Sequence, residues 1–223
     1  MPIHGFRSMY PFSAMDTGIE LINYATFYAS DLTNREADLS GLTQPNDLIV
    51  HLQAIDVYPS FPTGYGFGAQ TFSSNASEGW GFGFSLAYKF ATSSSEIATN
   101  VGQGSSSEVH LFAIFRNVRE GTYGEPWQVS SAGGSDDPPA LSIDPEEAML
   151  IGGAVRENAA GGDILPPPGF DMVGYKKDGL NFAIFLAYRP PQGSSYTLDP
   201  LPFDYGSIQT QAVAFTGNLY GYL

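Results

Sequence analysis

The three histidines, His4, His51 and His110, are the first residues to consider for chemistry. Imidazole is the side chain that most often serves as a general base or metal ligand near neutral pH. Their spacing forms neither an H-E-x-x-H helix nor a pair of neighbouring ligands. His51 and His110 each lie within an apolar run typical of a buried strand. The sequence therefore predicts two structural histidines.

Serines and glycines give no sharper signal for catalysis. The run GFSLA (83–87) lacks the last glycine of a G-x-S-x-G nucleophile elbow, so Ser85 is predicted to be an ordinary strand residue. The glycines of GWGFG (79–83) are spaced by two and no helix follows them. They therefore do not form a G-x-G-x-x-G phosphate loop.

Carboxylates are numerous enough that a glycosidase pair is not excluded by their count. Nothing in the sequence, however, places two of them on neighbouring strands at the separation that such a pair needs. Asp136-Asp137 and Glu146-Glu147 adjoin prolines, where solvated turn charges are the expectation. We therefore predict no catalytic, cofactor-binding or metal-binding residues, and a protein that is not an enzyme.

The charge balance and the absence of cysteine limit the kinds of partner and of metal site that the chain can have. Nine Lys and Arg against 23 Asp and Glu give a net charge of −14, which repels phosphates, so we expect no nucleic-acid partner. Without cysteine there are no disulfides or thiolate metal sites. The N-terminus lacks a signal-peptide pattern, and no apolar run reaches the ~18 residues of a membrane span. We expect a chain made in soluble form in the cytoplasm, without membrane insertion.

The segment WGFGFSLAYKFA (80–91) alternates its bulkiest side chains with its smallest. Successive side chains of a strand point to opposite faces, so this segment predicts a strand with one aromatic face and one nearly bare face. We expect the aromatic face to lie in the core. The bare face then either faces outward or faces a covering loop or a neighbouring subunit.

The strand pattern is duplicated within the chain. Three segments recur about 100 residues later: 47–57 as 147–157, 80–89 as 180–189, and 108–117 as 208–218. This period is too long for a solenoid unit and indicates a duplicated half-domain.

The fold class predicted from these patterns is all-β. We expect a jelly-roll-like β-sandwich built from two related four-stranded halves, with a further strand over residues 18–30. The halves cover about 18–118 and 146–223 of a single domain, 18–223, and residues 119–145 form a crossover. The Gly, Pro and Ser of that crossover would equally suit a linker between two domains.

Residues 1–17 are of a different kind, and we predict that they form an extended N-terminal arm. Proline and glycine interrupt any regular element there, so the arm has little to gain by folding alone. We expect it to order against a neighbouring subunit, with folding over its own sandwich as the alternative. Its large apolar side chains are Phe6, Met9, Tyr10, Phe12 and Met15.

Over residues 18–218 the chain resembles a loose family of β-sandwich proteins encoded in tailed-phage structural gene clusters. The resemblance rests on the order of the segments "DLIVHLQAI", "FPTGYGF", "GFSLAYKFATSSSE", "VHLFAIFRNV", "SSAGGSDDPPAL", "AMLIGGAVREN", "PPPGFDMVG" and "AVAFTGN". In that family an apolar strand follows a Gly-Asp pair and precedes a Pro-Pro-Gly-Trp turn. Here Asn46-Asp47 stands in place of Gly-Asp, and Tyr65 and Phe170 stand where Trp is usual. The resemblance implies a virion component on the capsid exterior or the tail, and the family has no catalytic motif to carry over.

Three functions follow as expectations. The first is a non-enzymatic virion structural protein, a capsid decoration, fibre or tail component, whose partners are other virion proteins and further copies of itself. The second is a glycan-binding adhesin or carbohydrate-binding module of a phage tail, because sugar rings stack on aromatic faces. Its contacts with a host surface glycan would be Tyr58, Phe61, Tyr65 and Phe67. The third, a glycan-degrading enzyme, has only the analogy of the fold behind it.

Overall fold

The computed structural model describes residues 19–75, 80–103, 108–119, 128–133, 142–145, 147–156, 165–177, 182–197 and 208–216. This part of the chain contains fourteen β-strands, one 3-10 turn (Ala29–Asp31) and no α-helix. The strands are β1 (Glu20–Tyr28), β2 (Ala37–Asp38), β3 (Leu48–Ile55), β4 (Gly66–Asn75), β5 (Trp80–Phe90), β6 (Ile97–Ala98), β7 (Glu108–Arg116), β8 (Gln128–Gly133), β9 (Ser142–Ile143), β10 (Glu147–Arg156), β11 (Asp171–Lys177), β12 (Phe182–Arg189), β13 (Tyr196–Thr197) and β14 (Ile208–Thr216). The predicted arm, residues 1–17, lies outside the described residues.

Two five-stranded sheets make up most of the fold. The first sheet has the order β1-β7-β3-β5-β4, and the second has the order β8-β14-β10-β12-β11. Two short ribbons, β2 with β6 and β9 with β13, complete the topology. Every pairing is antiparallel. The predicted all-β class is confirmed.

The pairing register of the second sheet repeats that of the first. Leu52 on β3 pairs with Leu86 on β5, and Gly152 on β10 pairs with Leu186 on β12, so both partners are displaced by 100 residues. The same displacement relates the β3–β7 pairing to the β10–β14 pairing. The bulge in β4 near residue 68 has a counterpart in β11 near residue 173.

The expected count of four strands per half is wrong, because the described residues of the first half (18–118) contain seven strands and those of the second half (146–223) contain five. Strand β8, at one edge of the second sheet, lies inside the segment 119–145 that we predicted to be a crossover, and it pairs with β14. Its residues, QVSSAG, are mostly small or polar, which suits an edge strand. They form no alternating hydrophobic pattern from which the strand could be predicted.

One apolar cluster takes buried side chains from both large sheets. Strands β3, β5 and β7 contribute from the first sheet, and β10, β12 and β14 from the second. On β5 the contributing residues are Phe84, Leu86 and Tyr88, which confirms that this part of the aromatic face lies in the core. The side chains of Trp80 and Phe82 lie outside the described part of the structure.

The bare face of β5 is buried as well, so the outward-facing alternative is wrong for its described residues. Ser85 and Ala87 are fully buried. A Cβ at Gly83 would lie only 2.5 Å from the backbone oxygen of Val57, in the loop after β3. Small residues on this face therefore allow a covering loop to approach closely. Farther along the outer face, the ribbon strands β2 and β6 help to build a second apolar cluster.

Candidate functional site

A cluster of polar side chains lies on the outer face of the first sheet, opposite the shared core. It comes from adjacent strands, because Gln53 on β3 pairs with His110 on β7 and with Ser85 on β5. His51 lies two residues before Gln53 and therefore on the same face. The pairing of β3 with β7 brings together two histidines that are 59 residues apart in the chain.

Glu108, His110 and His51 form a continuous hydrogen-bonded chain, which we call the histidine chain. His51 Nε2 lies 3.1 Å from His110 Nδ1, and His110 Nε2 lies 2.9 Å from Glu108 Oε1. The two imidazole rings stack with centroids 5.4 Å apart. All three residues are buried.

When both imidazoles of the histidine chain are neutral, the hydrogen-bond acceptors determine which ring nitrogen carries each proton. A carboxylate only accepts, so His110 Nε2–H donates to Glu108, and His110 Nδ1 then accepts from His51 Nε2–H. His51 Nδ1 is left as a lone pair with no hydrogen-bond partner among the described residues. Burial, and then the neighbouring His110, lower the pKa of His51 well below its usual value. Both causes favour the neutral form that this assignment requires.

Glu108, at one end of the histidine chain, holds the loop 101–103 by hydrogen bonds. The backbone N–H of Gln103 donates to Glu108 Oε2 at 3.0 Å and to Oε1 at 3.2 Å. A Cβ at Gly102 would lie 1.3 Å from Glu108 Oε1, so only glycine permits this approach. The side chain of Gln103 continues outward and donates to the carbonyl oxygen of Tyr58.

Gln53, the next residue after His51 on the same face of β3, holds a second loop against the first sheet. Its Oε1 accepts the backbone N–H of Ser60 at 3.0 Å. The loops 56–61 and 101–103 are therefore both tied to the first sheet by buried polar side chains. A buried polar group without a partner is costly, so such ties favour one arrangement of the loops.

A carboxylate that orients an imidazole is also the geometry of a general base. Here the third member is a second imidazole in place of a nucleophile, and all three members are buried. Ser85 is one strand beyond Gln53, so its Cα lies about 10 Å from that of His110, given two strand spacings. In this buried arrangement the carboxylate of Glu108 holds the loop 101–103.

Acidification should destabilise the chain through His51. In the folded state the pKa of His51 is lowered, whereas in the unfolded chain it is about 6.5. The unfolded state therefore binds more protons below that pH, and the stabilisation present above about pH 6.5 is lost as the pH falls, by up to about 1.4 kcal/mol per pH unit. Urea unfolding at pH 7.5, 6.5 and 5.5 measures this slope.

The matched control for this experiment is His51→Ile, because the equivalent position of the second sheet is the buried Ile151. This variant removes the titrating group and keeps an apolar side chain that the equivalent site tolerates. We expect a flatter dependence of the unfolding free energy on pH. Equal slopes for the variant and the wild type would show that His51 is not the responsible group.

Two ion pairs lie at the ends of the strands. Arg116 donates to Asp47 in bidentate fashion, with Nε–Oδ1 and Nη2–Oδ2 both at 2.9 Å, and this hydrogen bonding raises the pKa of Arg116. Lys89 Nζ lies 2.6 Å from Glu96 Oε2. These pairs join separate segments of the first half, which is a structural role.

The four predicted glycan contacts do not share one environment. Tyr58 is 59% exposed, and Phe61 is half-buried. Tyr65 packs inward, with its ring edge against Phe112 at 6.4 Å between centroids, and burial raises the pKa of its hydroxyl. The side chain of Phe67 lies outside the described part of the structure. Tyr58 is therefore the residue on which the glycan-binding hypothesis depends.

Other residues considered from the sequence fall into two groups. Glu147 is buried and its Oε2 accepts the backbone N–H of Asp144 at 2.8 Å, so the expectation of a solvated turn charge is wrong there. Asp136, Asp137 and Glu146 lie outside the described residues, as do the apolar side chains of the arm.

The predicted structural role of the two histidines agrees with their burial, but their contact with each other was not foreseen. The signal available in the sequence was a histidine in the middle of each of two apolar runs, and these two runs pair as neighbouring strands.

Within the described ranges, no group of three or more His, Asp or Glu is arranged to hold a metal ion. No helix there has the length and apolar character needed to cross a membrane. The chain matches no protein-family model, no curated protein and no solved structure.

Proposed function

We propose that this chain is a non-enzymatic structural protein of a bacteriophage virion, placed on the particle exterior as a capsid decoration, fibre or tail component. The observation that carries the non-enzymatic part is the histidine chain, whose three members are buried and bonded to one another or to a loop. The virion part rests on the ordered motifs that resemble those of phage structural proteins. In this proposal the partners are other virion proteins and further copies of the chain.

The proposed body is a β-sandwich of two related halves, each of which supplies one large sheet. Support comes from the repeated strand order, the pairing registers displaced by 100 residues and the apolar cluster that both sheets share. The proposal that this body is jelly-roll-like is supported by the two antiparallel sheets that contribute to one apolar cluster. Such a body resists deformation because its core is close-packed, which suits a building block.

The proposed assembly contact is the N-terminal arm, and its removal tests the proposal. A chain that begins at Asp16 should stay folded with a similar melting temperature, because the described strands begin at Glu20. It should no longer be recovered in particles. The measurement is mass spectrometry of gradient-purified particles from cells that express either the full chain or the shortened chain.

The matched control is a full-length chain in which Ile97 is replaced by serine, because Ile97 is an exposed residue outside the arm. Recovery of this control and loss of the shortened chain would support the proposal. Recovery of the shortened chain at wild-type level would contradict the role of the arm. Absence of the full chain from particles would contradict the virion role itself.

The alternative function is glycan binding at a phage tail, and the exposure of Tyr58 is the observation that favours it. An exposed aromatic ring in a loop can stack on a sugar ring. Binding to a glycan array should then be lost in Tyr58→Ala and kept in Leu165→Ala, which removes an equally exposed side chain (59% and 61%) from another loop. Binding that survives both substitutions, or is absent from the wild type, would contradict this alternative.

A further inference from the structure

The two large sheets end differently at equivalent positions. At the end of β5, the cation Lys89 meets a carboxylate, Glu96, at 2.6 Å. That carboxylate also accepts the backbone N–H groups of Thr92 and Ser93. At positions displaced by 100 residues, the second half has Arg189 at the end of β12 and Tyr196 on the ribbon strand β13. The cation is kept, and the carboxylate is replaced by an aromatic ring.

Arg189 has only part of the hydrogen bonding that its side chain needs. Its guanidinium carbon lies 4.1 Å above the centroid of the Tyr196 ring, and Nη2 donates to Gln192 Oε1 at 3.2 Å. The atoms Nε and Nη1 are buried and have no hydrogen-bond partner among the described residues. Burial lowers the pKa of Arg189, as expected for a cation withdrawn from water.

The guanidinium lies just below the surface. Gln192 is exposed, and so is Gly169, where a Cβ would lie 3.7 Å from Arg189 Nε. A side chain at position 169 would therefore lie in contact with Nε, and glycine leaves that space unfilled. Displacement of the Gln192 side chain would make the guanidinium of Arg189 accessible. Two parallel N–H groups of a guanidinium match the two oxygens of a carboxylate.

We propose that Arg189 is the base of a carboxylate-binding site, with Tyr196 as its wall and Gln192 as its cover, and that the carboxylate comes from another molecule. The first half contains its own carboxylate at this place, Glu96, and so has no vacancy. The source is either a small free carboxylate or an Asp or Glu of a second copy of this acidic chain. The proposal goes beyond the proposed function, because it assigns a specific binding site.

Sodium acetate is the probe for the site. In a ¹H–¹⁵N spectrum of the full chain, the Nε–H resonance of Arg189 should shift saturably with acetate at constant ionic strength, with chloride as the balancing anion. Arg189→Gln removes that resonance and identifies it. Lys89→Gln, the matched change in the first half, should leave the response intact.

Tyr196→Glu keeps the test decisive if Arg189→Gln does not fold. It supplies a carboxylate at the place where the first half has Glu96, so the resonance of Arg189 should no longer respond to acetate. Sedimentation over a range of protein concentrations distinguishes the sources. Association that acetate and Tyr196→Glu both abolish indicates a carboxylate from a second copy, and a monomer at all concentrations indicates a free carboxylate.

Two results would overturn the proposal. One is the absence of a saturable acetate shift in a wild-type chain that also stays monomeric. The other is a Tyr196→Glu variant whose Arg189 resonance responds to acetate as the wild type does.

Discussion

Replacing Phe84 by alanine is expected to lower the free energy of unfolding by about 3–5 kcal/mol. Phe84 is fully buried in the cluster that both large sheets share. Its ring reaches the second sheet, since its Cζ lies 3.5 Å from where a Cβ at Gly152 would stand. The substitution therefore leaves a cavity between the sheets, and urea unfolding followed by fluorescence measures the loss.

Ile97→Ala is the control for this prediction, because Ile97 is 50% exposed on the outer ribbon. Its effect should be within about 0.5 kcal/mol of zero, as is usual for surface changes. A loss below about 1 kcal/mol for Phe84→Ala would mean that the face of β5 does not lie in a close-packed core.

Replacing Gly152 by leucine is expected to destabilise the chain by about 3 kcal/mol, at the upper end of what overpacking costs. A Cβ at this position would lie 2.2 Å from Leu52 Cδ2. Leu52 and Gly152 are equivalent positions of β3 and β10, so a large residue of one sheet fills the space that its counterpart leaves empty.

A compensating substitution makes this prediction specific. Leu52→Ala removes the colliding side chain, so the double variant should be less destabilised than the sum of its single variants, by about 1–3 kcal/mol. Leu48→Ala is the matched control. It removes a buried leucine of the same strand about 13 Å away, and its effect should add to that of Gly152→Leu. Additivity for the Leu52 pair would contradict direct packing of β3 against β10.

The long strands could be predicted because they depend on short-range patterns. The alternation in WGFGFSLAYKFA identifies a strand from its own residues, and the repeat at 180–189 confirms the period. These two features predicted the class of the fold and the buried face of β5. The edge strand β8 was missed because its small and polar residues carry no such alternation.

The histidine chain could not be predicted, because it depends on pairing between distant strands. Neither the run around His51 nor that around His110 shows by itself that β3 and β7 are neighbours. The loop contact of Glu108 depends further on the close approach at Gly102. The mutual packing of Leu52 and Gly152 is of the same kind, since it requires the two sheets to be placed face to face.

A cryo-electron microscopy reconstruction of the assembled particle tests the proposed virion role most directly. The account predicts density on the particle exterior into which the two five-stranded sheets fit, with residues 1–17 bound along a neighbouring subunit. Particles that are complete and infectious but contain no density or peptide from this chain would contradict it.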